Sequence, residues 1–370
     1  MAKIDEPKAE EHRFPCPDCG SDMLFDAKAE QLVCDHCGAT ESVVDDTNWT
    51  ITEQDFNSAL RAELPDSEME TSRVTKCENC GAQVEFEGEN HASECPFCAS
   101  PIVLDTGTNR HIKPKGVLPF AVAEKSARES MSQWLGKLWF APNDLQEYAR
   151  KGRRLQGIYV PYWTYDAQTE SDYRGQRGDA YYVNKTVTVM VDGKSQTRTR
   201  RERKIRWRSA AGHISKFFDD ILILASHSLP KRYTDKLVPW DLSEMKAYSP
   251  SYLAGYHAEA YSVSLDDGFT EAQVIMEREI RQLVRRDIGG DEQRISSLKT
   301  NISAVTYKHV LLPVWLAAYK YNGKSYRFVV NGQTGKVQGE RPWSKIKIAI
   351  AVVLGLIVAA GIGYVAYINQ

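Results

Sequence analysis

Beyond Cys98 the 370-residue sequence has no cysteine, and its first 110 residues hold only 8 Lys and Arg against 24 Asp and Glu. The first absence leaves no disulfide framework for the larger part of the chain. The second excludes a nucleic-acid surface in front, because affinity for phosphate comes chiefly from Lys and Arg. An apolar leader is missing as well, since MAKIDEPKAEEHRF has five charged residues in its first ten. No cleavable export signal is therefore expected, and the body is expected to stay in the cytosol. A mean hydropathy of -0.45 excludes a polytopic membrane protein. Catalytic signatures are absent too: there is no H-E-x-x-H and no G-x-S-x-G. The GKS triplets at Gly193 and Gly323 lack the leading glycine of a phosphate loop, with Thr188 and Ala318 in its place. The acidic doublets Asp219-Asp220 and Asp266-Asp267 read as turn or helix-start residues rather than acid/base pairs. With no helicase or NTPase motif, no enzyme is expected.

What is present is regular. Cys16, Cys19, Cys34 and Cys37 read C-x2-C-x14-C-x2-C, and Cys77, Cys80, Cys95 and Cys98 repeat that spacing 61 residues further on. In a reducing compartment this pattern favours metal over disulfides. Each C-x-x-C turn sets two thiolates on one ion, and the intervening 14 residues form a hairpin that returns the second pair. Four thiolates leave no open water position, so two structural Zn2+ ions are expected rather than a catalytic one. Each would supply on the order of 10 kcal/mol to the folding of its ribbon. Gly20, Gly38 and Gly81 follow a second cysteine, where the turn needs positive φ, and Ala99 departs from that rule. His36 and His91 are expected beside the ligands rather than among them.

The expected organisation is multidomain. A flexible N-terminus at 1–13 precedes zinc ribbon 1 at 14–44 and an acidic linker at 45–73. That linker carries a short helix, capped by Thr52 and Asp55, with Phe56, Ala59, Leu60 and Leu64 on one side and Pro65 as its stop. Zinc ribbon 2 follows at 74–104, and the net charge of this front makes protein recognition its expected role. Residues 115–340 read as an α+β domain with an antiparallel sheet. It opens with a helix that puts Ala127, Met131, Trp134, Leu135 and Leu138 on one face. Period-two, aromatic-rich runs at 159–166, 181–191, 204–207, 256–263, 310–321 and 326–330 predict strands. Asp192-Gly193, Asn322-Gly323 and Asn331-Gly332 predict turns. A second helix is predicted over 270–287, with Thr270 and Gln273 as its capping box, Met276, Ile280, Leu283 and Val284 inward, and Gly289-Gly290 as its stop. Val160-Pro161-Tyr162-Trp163 and Leu312-Pro313-Val314-Trp315 look alike, either as marks of an internal duplication or as two independent edge-strand prolines.

The run TRTRRERKIRWR carries Arg198, Arg200, Arg201, Arg203, Lys204, Arg206 and Arg208 against Glu202 alone. On a strand, Lys204, Arg206 and Arg208 would face away from Ile205 and Trp207. Three readings remain open: a solvated edge, a patch for anionic lipid and a nucleic-acid surface. Near the end of the chain, IAIAVVLGLIVAAGIGYVAYI at 348–368 has no charge and is long enough for a bilayer core of roughly 30 Å. A transmembrane helix is expected at 346–368. Arg341, Lys345 and Lys347 precede its charge-free run and nothing charged follows, which implies a single-pass cell-membrane protein with a cytoplasmic body. Trp343, Tyr364 and Tyr367 are set to meet the two interfaces. Gly355, Ala359 and Gly363 recur every fourth residue, a small-residue face suited to pairing spans, including those of a homo-oligomer.

FPCPDCG, LVCDHCG, KCENCG, ECPFCASPI, IYVPYWTYDA, YRGQRGD, LPVWLAAYKYNGKSYRFVVNGQTGKV and the terminal span together resemble a bacterial family of tandem zinc-ribbon, single-span membrane proteins. Its members are often labelled as primosomal helicase or general transcription factor zinc ribbons. Relatives are encoded near flotillin-type (SPFH) scaffold proteins and phage-shock proteins. The resemblance implies an adaptor that organises such partners at the membrane in envelope stress, with the eight cysteines as zinc ligands. The alternative is a nucleic-acid-associated, replication- or helicase-linked factor that uses the basic middle domain.

Overall fold

The computed structural model describes residues 14–43, 51–61, 64–65, 68–85, 92–98, 100–103, 108–140, 142, 155–191, 194–321, 324–340 and 343–368. The expected flexible N-terminus at 1–13, His91, Ala99, the Asp192-Gly193 and Asn322-Gly323 turns and Arg341 lie outside the described residues. Strands β1 (Leu24–Asp26), β2 (Gln31–Val33) and β3 (Thr40–Ser42) form a small antiparallel sheet. Next come β4 (Gln54–Asp55), α1 (Phe56–Leu60), β5 (Met69–Lys76), β6 (Gln83–Glu85), the pair β7 (Ala92–Glu94) and β8 (Pro101–Val103), then β9 (Thr108–Ile112) and β10 (Gly116–Val117). The body continues through α2 (Glu124–Gly136), β11 (Gln156–Val191), β12 (Lys194–Leu224), α3 (Lys231–Thr234), β13 (Lys246–Ala247) and β14 (His257–Glu259). It ends with α4 (Leu265–Ile288), β15 (Glu292–Tyr321), β16 (Lys324–Asn331), β17 (Val337–Gly339) and α5 (Lys345–Ile368). Two small four-cysteine knots, a large sheet domain with helices and a terminal apolar helix thus make up the chain.

The sheet is built on β11 and β15, which pair antiparallel from Gln156↔Leu316 to Gly178↔Glu292. Their centre is buried on both sides, which is why 158–165 reads as a nearly continuous apolar run. Ile158, Val160 and Tyr162 meet Val310, Leu312 and Val314 on one side. Trp163 and Tyr165 lie on the other, under α4. That helix packs through Leu265, Phe269, Ala272, Met276, Ile280, Val284 and Ile288. It starts five residues before the predicted Thr270, because Ser264 is the effective cap and accepts the Asp267 N–H at 3.1 Å. Thr270 lies inside the helix, its hydroxyl bonded to the Asp266 carbonyl at 3.2 Å, and Gly289 ends it at φ 65°. In α2 the expected face is inward: Ala127, Met131 and Leu135 are buried, and Trp134 meets the Phe328 ring. The cap of α1 is Asp55, which accepts the Ser58 N–H at 2.7 Å, not Thr52; Phe56 fills the core and Leu60 is exposed.

The two proline-tryptophan fragments are equivalent positions of a repeated β-α-β-β unit. Val160 pairs with Leu312, so the fragments lie side by side about that pair. Parallel strands flank each just before its proline: Tyr159 beside Ala258 and Leu311 beside Val117. The antiparallel hairpins begin just after it, with Tyr162↔Leu224 and Val314↔Asn331. Each proline therefore falls in the gap between two flanking strands, where no neighbour needs its missing N–H. That answers the objection to proline inside a central strand. The hydrogen bonds repeat as well. Ala225 N–H donates to the Pro161 carbonyl at 2.9 Å, and Gly332 N–H to that of Pro313 at 2.8 Å. The Ala225 carbonyl accepts from Ser262 and Val263, and the Gly332 carbonyl from Ala121 and Val122. Trp163 Nε1 donates to the Val263 carbonyl at 3.0 Å, and Trp315 Nε1 to that of Val122 at 2.7 Å. The helix of each unit thus starts on the tryptophan of the other.

The units differ in their hairpins. The second stops after Tyr321↔Lys324, whereas the first runs to Val191↔Lys194. Past Gly178, β11 has only β12 as a partner, leaving a two-stranded arm of 179–191 and 194–206 that extends roughly 40 Å. The sheet is chiefly antiparallel, with two short parallel pairings, β10 with β15 and β11 with β14. It also reaches into segments expected to be separate: β4 of the linker pairs with β15, and β6 of the second knot pairs with β14.

The equivalence makes a symmetrical prediction. Trp163→Phe and Trp315→Phe each remove one hydrogen bond, buried at Trp163 and part-buried at Trp315, and leave a carbonyl without that donor, a cost of about 1–3 kcal/mol. Urea unfolding of the full chain in detergent should give similar losses for both variants.

Candidate metal centres and the basic arm

The sulfur atoms of Cys16, Cys19, Cys34 and Cys37 all lie within 4.8 Å of one another, and so do those of Cys77, Cys80, Cys95 and Cys98. None is in a disulfide. The shortest separations are 3.5 Å for Cys16–Cys37 and Cys19–Cys34, and 3.6 Å for Cys77–Cys98 and Cys80–Cys95. A tetrahedron of metal–sulfur bonds near 2.3 Å has edges of about 3.8 Å. The donors and their spacing therefore fit a tetrahedral metal ion with all four positions filled.

The local backbone explains how each pair is presented. In the first, second and third knuckles, Gly20, Gly38 and Gly81 take φ of 75°, 78° and 75°, and their N–H groups donate to the carbonyls of Cys16, Cys34 and Cys77. A side chain at those angles would be strained. The returning bond runs from the N–H of the first cysteine of each pair, Cys16, Cys34, Cys77 or Cys95, to the carbonyl of Ser21, Ala39, Ala82 or Ser100, so all four knuckles close alike. The Ser21 backbone N–H, then its hydroxyl, hold the Cys19 thiol down to about 6. The hydrogen bond with Cys95 holds Cys80 down to about 5 and pushes Cys95 up. His36 is exposed and belongs to neither cluster.

The two centres differ in their surroundings. Cys77, Cys95 and Cys98 are buried with Phe97 and Val84 against Ile158, Leu224 and Leu237 of the body. Cys19 and Cys37 are exposed. The first knot touches the body through Phe25, whose N–H donates to the Ala254 carbonyl at 3.0 Å and whose ring meets Tyr252 at 5.1 Å. Asp18, Asp22, Asp26, Glu30, Asp35 and Glu41 of this knot are all exposed, as is Lys28.

On the arm, directly opposite residues share a face. Arg198, Arg200, Lys204, Arg206 and Arg208 lie opposite Val187, Lys185, Tyr181, Asp179 and Arg177. They share that face with Glu202. Arg201 and Arg203, opposite Asn184 and Tyr182, take the other face with Ile205 and Trp207. The acids are engaged: Glu202 pairs with Lys185 at 3.7 Å and Asp179 with Arg177 at 2.9 Å, while Arg203 pairs with Glu292 at 2.9 Å. Arg206 lies over Tyr181 and Arg201 over Tyr182. On α5, a Cβ at Gly355 or Gly363 would meet nothing within 4 Å, and Ala359 is exposed. The helix is long and apolar enough over Ile346–Ile368 to cross a membrane, and none of its apolar window is buried.

A polar cluster inside the sheet beside β4, in which Asp166 and Lys308 are buried, was not legible in the sequence. Asp219 and Asp220 form a β-bulge opposite Asp166, with Asp220 at φ 50°. Asp220 N–H donates to Asp166 Oδ1 at 2.6 Å. Lys308 Nζ joins Asp220 at 2.8 Å and Glu53 at 3.4 Å, and Thr306 donates to Glu53 at 2.7 Å. Burial, followed by the hydrogen bond to Glu53, pushes Asp166 up to about 7. The hydrogen bond from Asp166 holds Glu53 down to about 2. The doublet Asp266-Asp267 lies in the first turn of α4, as expected.

No protein-family model matches this chain, and no solved structure matches it. The chain is similar to the uncharacterized protein YdjG of Bacillus subtilis (strain 168), with 28% identity over 337 residues, 91% of this chain and 92% of that protein.

Two outcomes follow from the geometry. Titration of the metal-loaded protein with an organomercurial should release metal in two phases, first from the exposed Cys19/Cys37 centre and later from the buried one. A single phase would contradict the difference in burial. Asp166 stabilises the fold below its unfolded value near 3.9, and that contribution is lost as pH rises through about 7. Asp166→Asn keeps an acceptor for Asp220 and a donor for Glu53. Its urea midpoint should therefore gain on that of the parent protein between pH 4.5 and 7.5.

Proposed function

We propose that this protein is a membrane-tethered, non-enzymatic adaptor that docks a cytosolic scaffold of the flotillin/SPFH type, in the setting of envelope stress. The observation that carries this reading is the charge of the first knot, which exposes six carboxylates on a small four-cysteine unit bonded to the body. Such a surface suits a basic protein face and disfavours nucleic acid. The choice of scaffold rests on the resemblance of the knuckle motifs and span to the bacterial tandem-ribbon family. Zinc is the metal in this reading, since closed four-thiolate sites are its ordinary structural environment. The second ion would act by holding β6 against β14, so its removal would loosen the body itself. The terminal helix anchors the protein with its body in the cytoplasm, as Lys345 and Lys347 before the charge-free run at 348–368 favour. Confinement to the bilayer raises the local concentration of both partners, so a weak contact suffices.

The alternative, a nucleic-acid-associated factor, draws support from the five aligned cations on one face of β12, four of them on the arm. One experiment separates the two. The full chain is captured from gently solubilised membranes beside Asp18→Asn/Asp35→Asn/Glu41→Gln and Arg198→Ala/Arg200→Ala/Lys204→Ala/Arg206→Ala, all of which keep the eight cysteines. The adaptor reading predicts that the acidic-face variant loses the scaffold protein while the arm variant keeps it. If the acidic-face variant retains every partner, and the arm variant alone loses salt-dependent DNA binding, the alternative replaces it.

A further inference from the structure

The membrane helix does not leave the body through a loose linker. Ser344 caps α5: its hydroxyl accepts the Lys347 N–H at 3.3 Å, and its carbonyl accepts the Ile348 N–H at 3.0 Å. The N–H of Ser344 in turn donates to the Phe140 carbonyl at 2.8 Å. Phe140 belongs to the turn that ends α2, where Leu138 N–H donates to the Leu135 carbonyl and Leu138 is buried in the body's core. The first turn of the span is thus bonded to a segment that is itself anchored in packed structure.

This joint carries aromatic surface that the body leaves uncovered. Trp139 is 79% exposed and Trp343 is 54% exposed. The Phe140 and Trp343 rings meet at 6.1 Å, and Trp139 precedes Phe140 in the same turn. An exposed tryptophan is a poor surface residue in water but a favoured one at the headgroup level, where its ring is buried and its N–H stays wet. The turn and Trp343 thus stand at the mouth of a helix apolar enough to enter a bilayer. We propose that Trp139, Phe140 and Trp343 form an interfacial collar: the turn after α2 dips into the headgroup region of the same membrane and seats the body on its surface. This rests on the reading of α5 as a span. The occupant of the surface is lipid, because the patch is continuous with the membrane helix and bonded to its cap. The collar deepens the adaptor reading by fixing the angle at which the body, and so the acidic knot and the arm, stand over the bilayer.

Photo-crosslinking in the full chain tests it, with benzoylphenylalanine placed in turn at positions 139, 357 and 182 and the protein reconstituted into phosphatidylethanolamine/phosphatidylglycerol vesicles. Position 357 reports the span itself, and position 182 lies on the arm. The collar predicts lipid adducts at 139 approaching the yield at 357 and several-fold above that at 182. Lipid adducts at 357 with none at 139, equal yields at 139 and 182, or a crosslink from 139 to a second copy of the chain would each overturn the collar while leaving the span intact. Failure at 357 as well would remove the membrane reading on which it rests.

Discussion

The antiparallel contact between β11 and β15 about Val160↔Leu312 is the constraint on which the rest of the structure depends. Every larger element is placed by reference to it. Each proline opens a gap in the flanking strands, and each proline carbonyl accepts the N–H that begins the return path toward a helix. The tryptophan two residues on then binds the carbonyl just before that helix. Because the helix belongs to the other unit, neither unit completes its core alone. Two short fragments, four residues each, thus organise a sheet that spans most of the chain. The local logic is ordinary: a residue without an N–H sits where no N–H is wanted, and an indole that would otherwise lose its partner on burial is given one.

From this frame the distribution of charge acquires a geometry. The acidic front is folded onto the body as two knots, one with its centre buried against the sheet and one showing its carboxylates to solvent. The basic run lies on the overgrown hairpin of the first unit, beyond the reach of β15. A two-stranded ribbon of this length has no core of its own, so its stability comes from the pairing, the stacked Arg–Tyr contacts and its continuity with the part of the sheet where β15 joins β11. The sign asymmetry that a net charge of -2 conceals therefore separates into two projecting surfaces on one body.

The sequence was most legible where a few neighbouring residues decide the outcome. Cysteine spacing and the glycine after three of the four pairs located both four-cysteine clusters, because a knuckle is a local object. The inward face of α2 and the apolar terminal helix were readable for the same reason. Periodicity found the strands but not their length. Thr169, Ser171 and the charged residues around them interrupt the apolar pattern, yet they continue β11 because the neighbouring strands satisfy their backbone groups. The start of α4 was missed because Thr270 and Gln273 imitate a cap, while Ser264 with Asp266 and Asp267 makes the better one. Least visible were the long-range pairings. Only two residue pairs tie β6 to β14, and nothing in either segment announces the other. The Glu53–Asp166–Lys308 cluster was hidden likewise, its members contributed by β11, β15 and the segment before β4.

The claim that the duplicated strand pair is the keystone can be tested by native-state hydrogen exchange on the full chain in detergent or nanodiscs. The account predicts that amides of 158–164 and 310–316 exchange last and at matching rates, through the same opening of the body, while those of the arm at 179–191 and 194–206 exchange much earlier. If the two fragments open independently of one another, or the arm is protected as strongly as they are, the pair is not what holds the structure together.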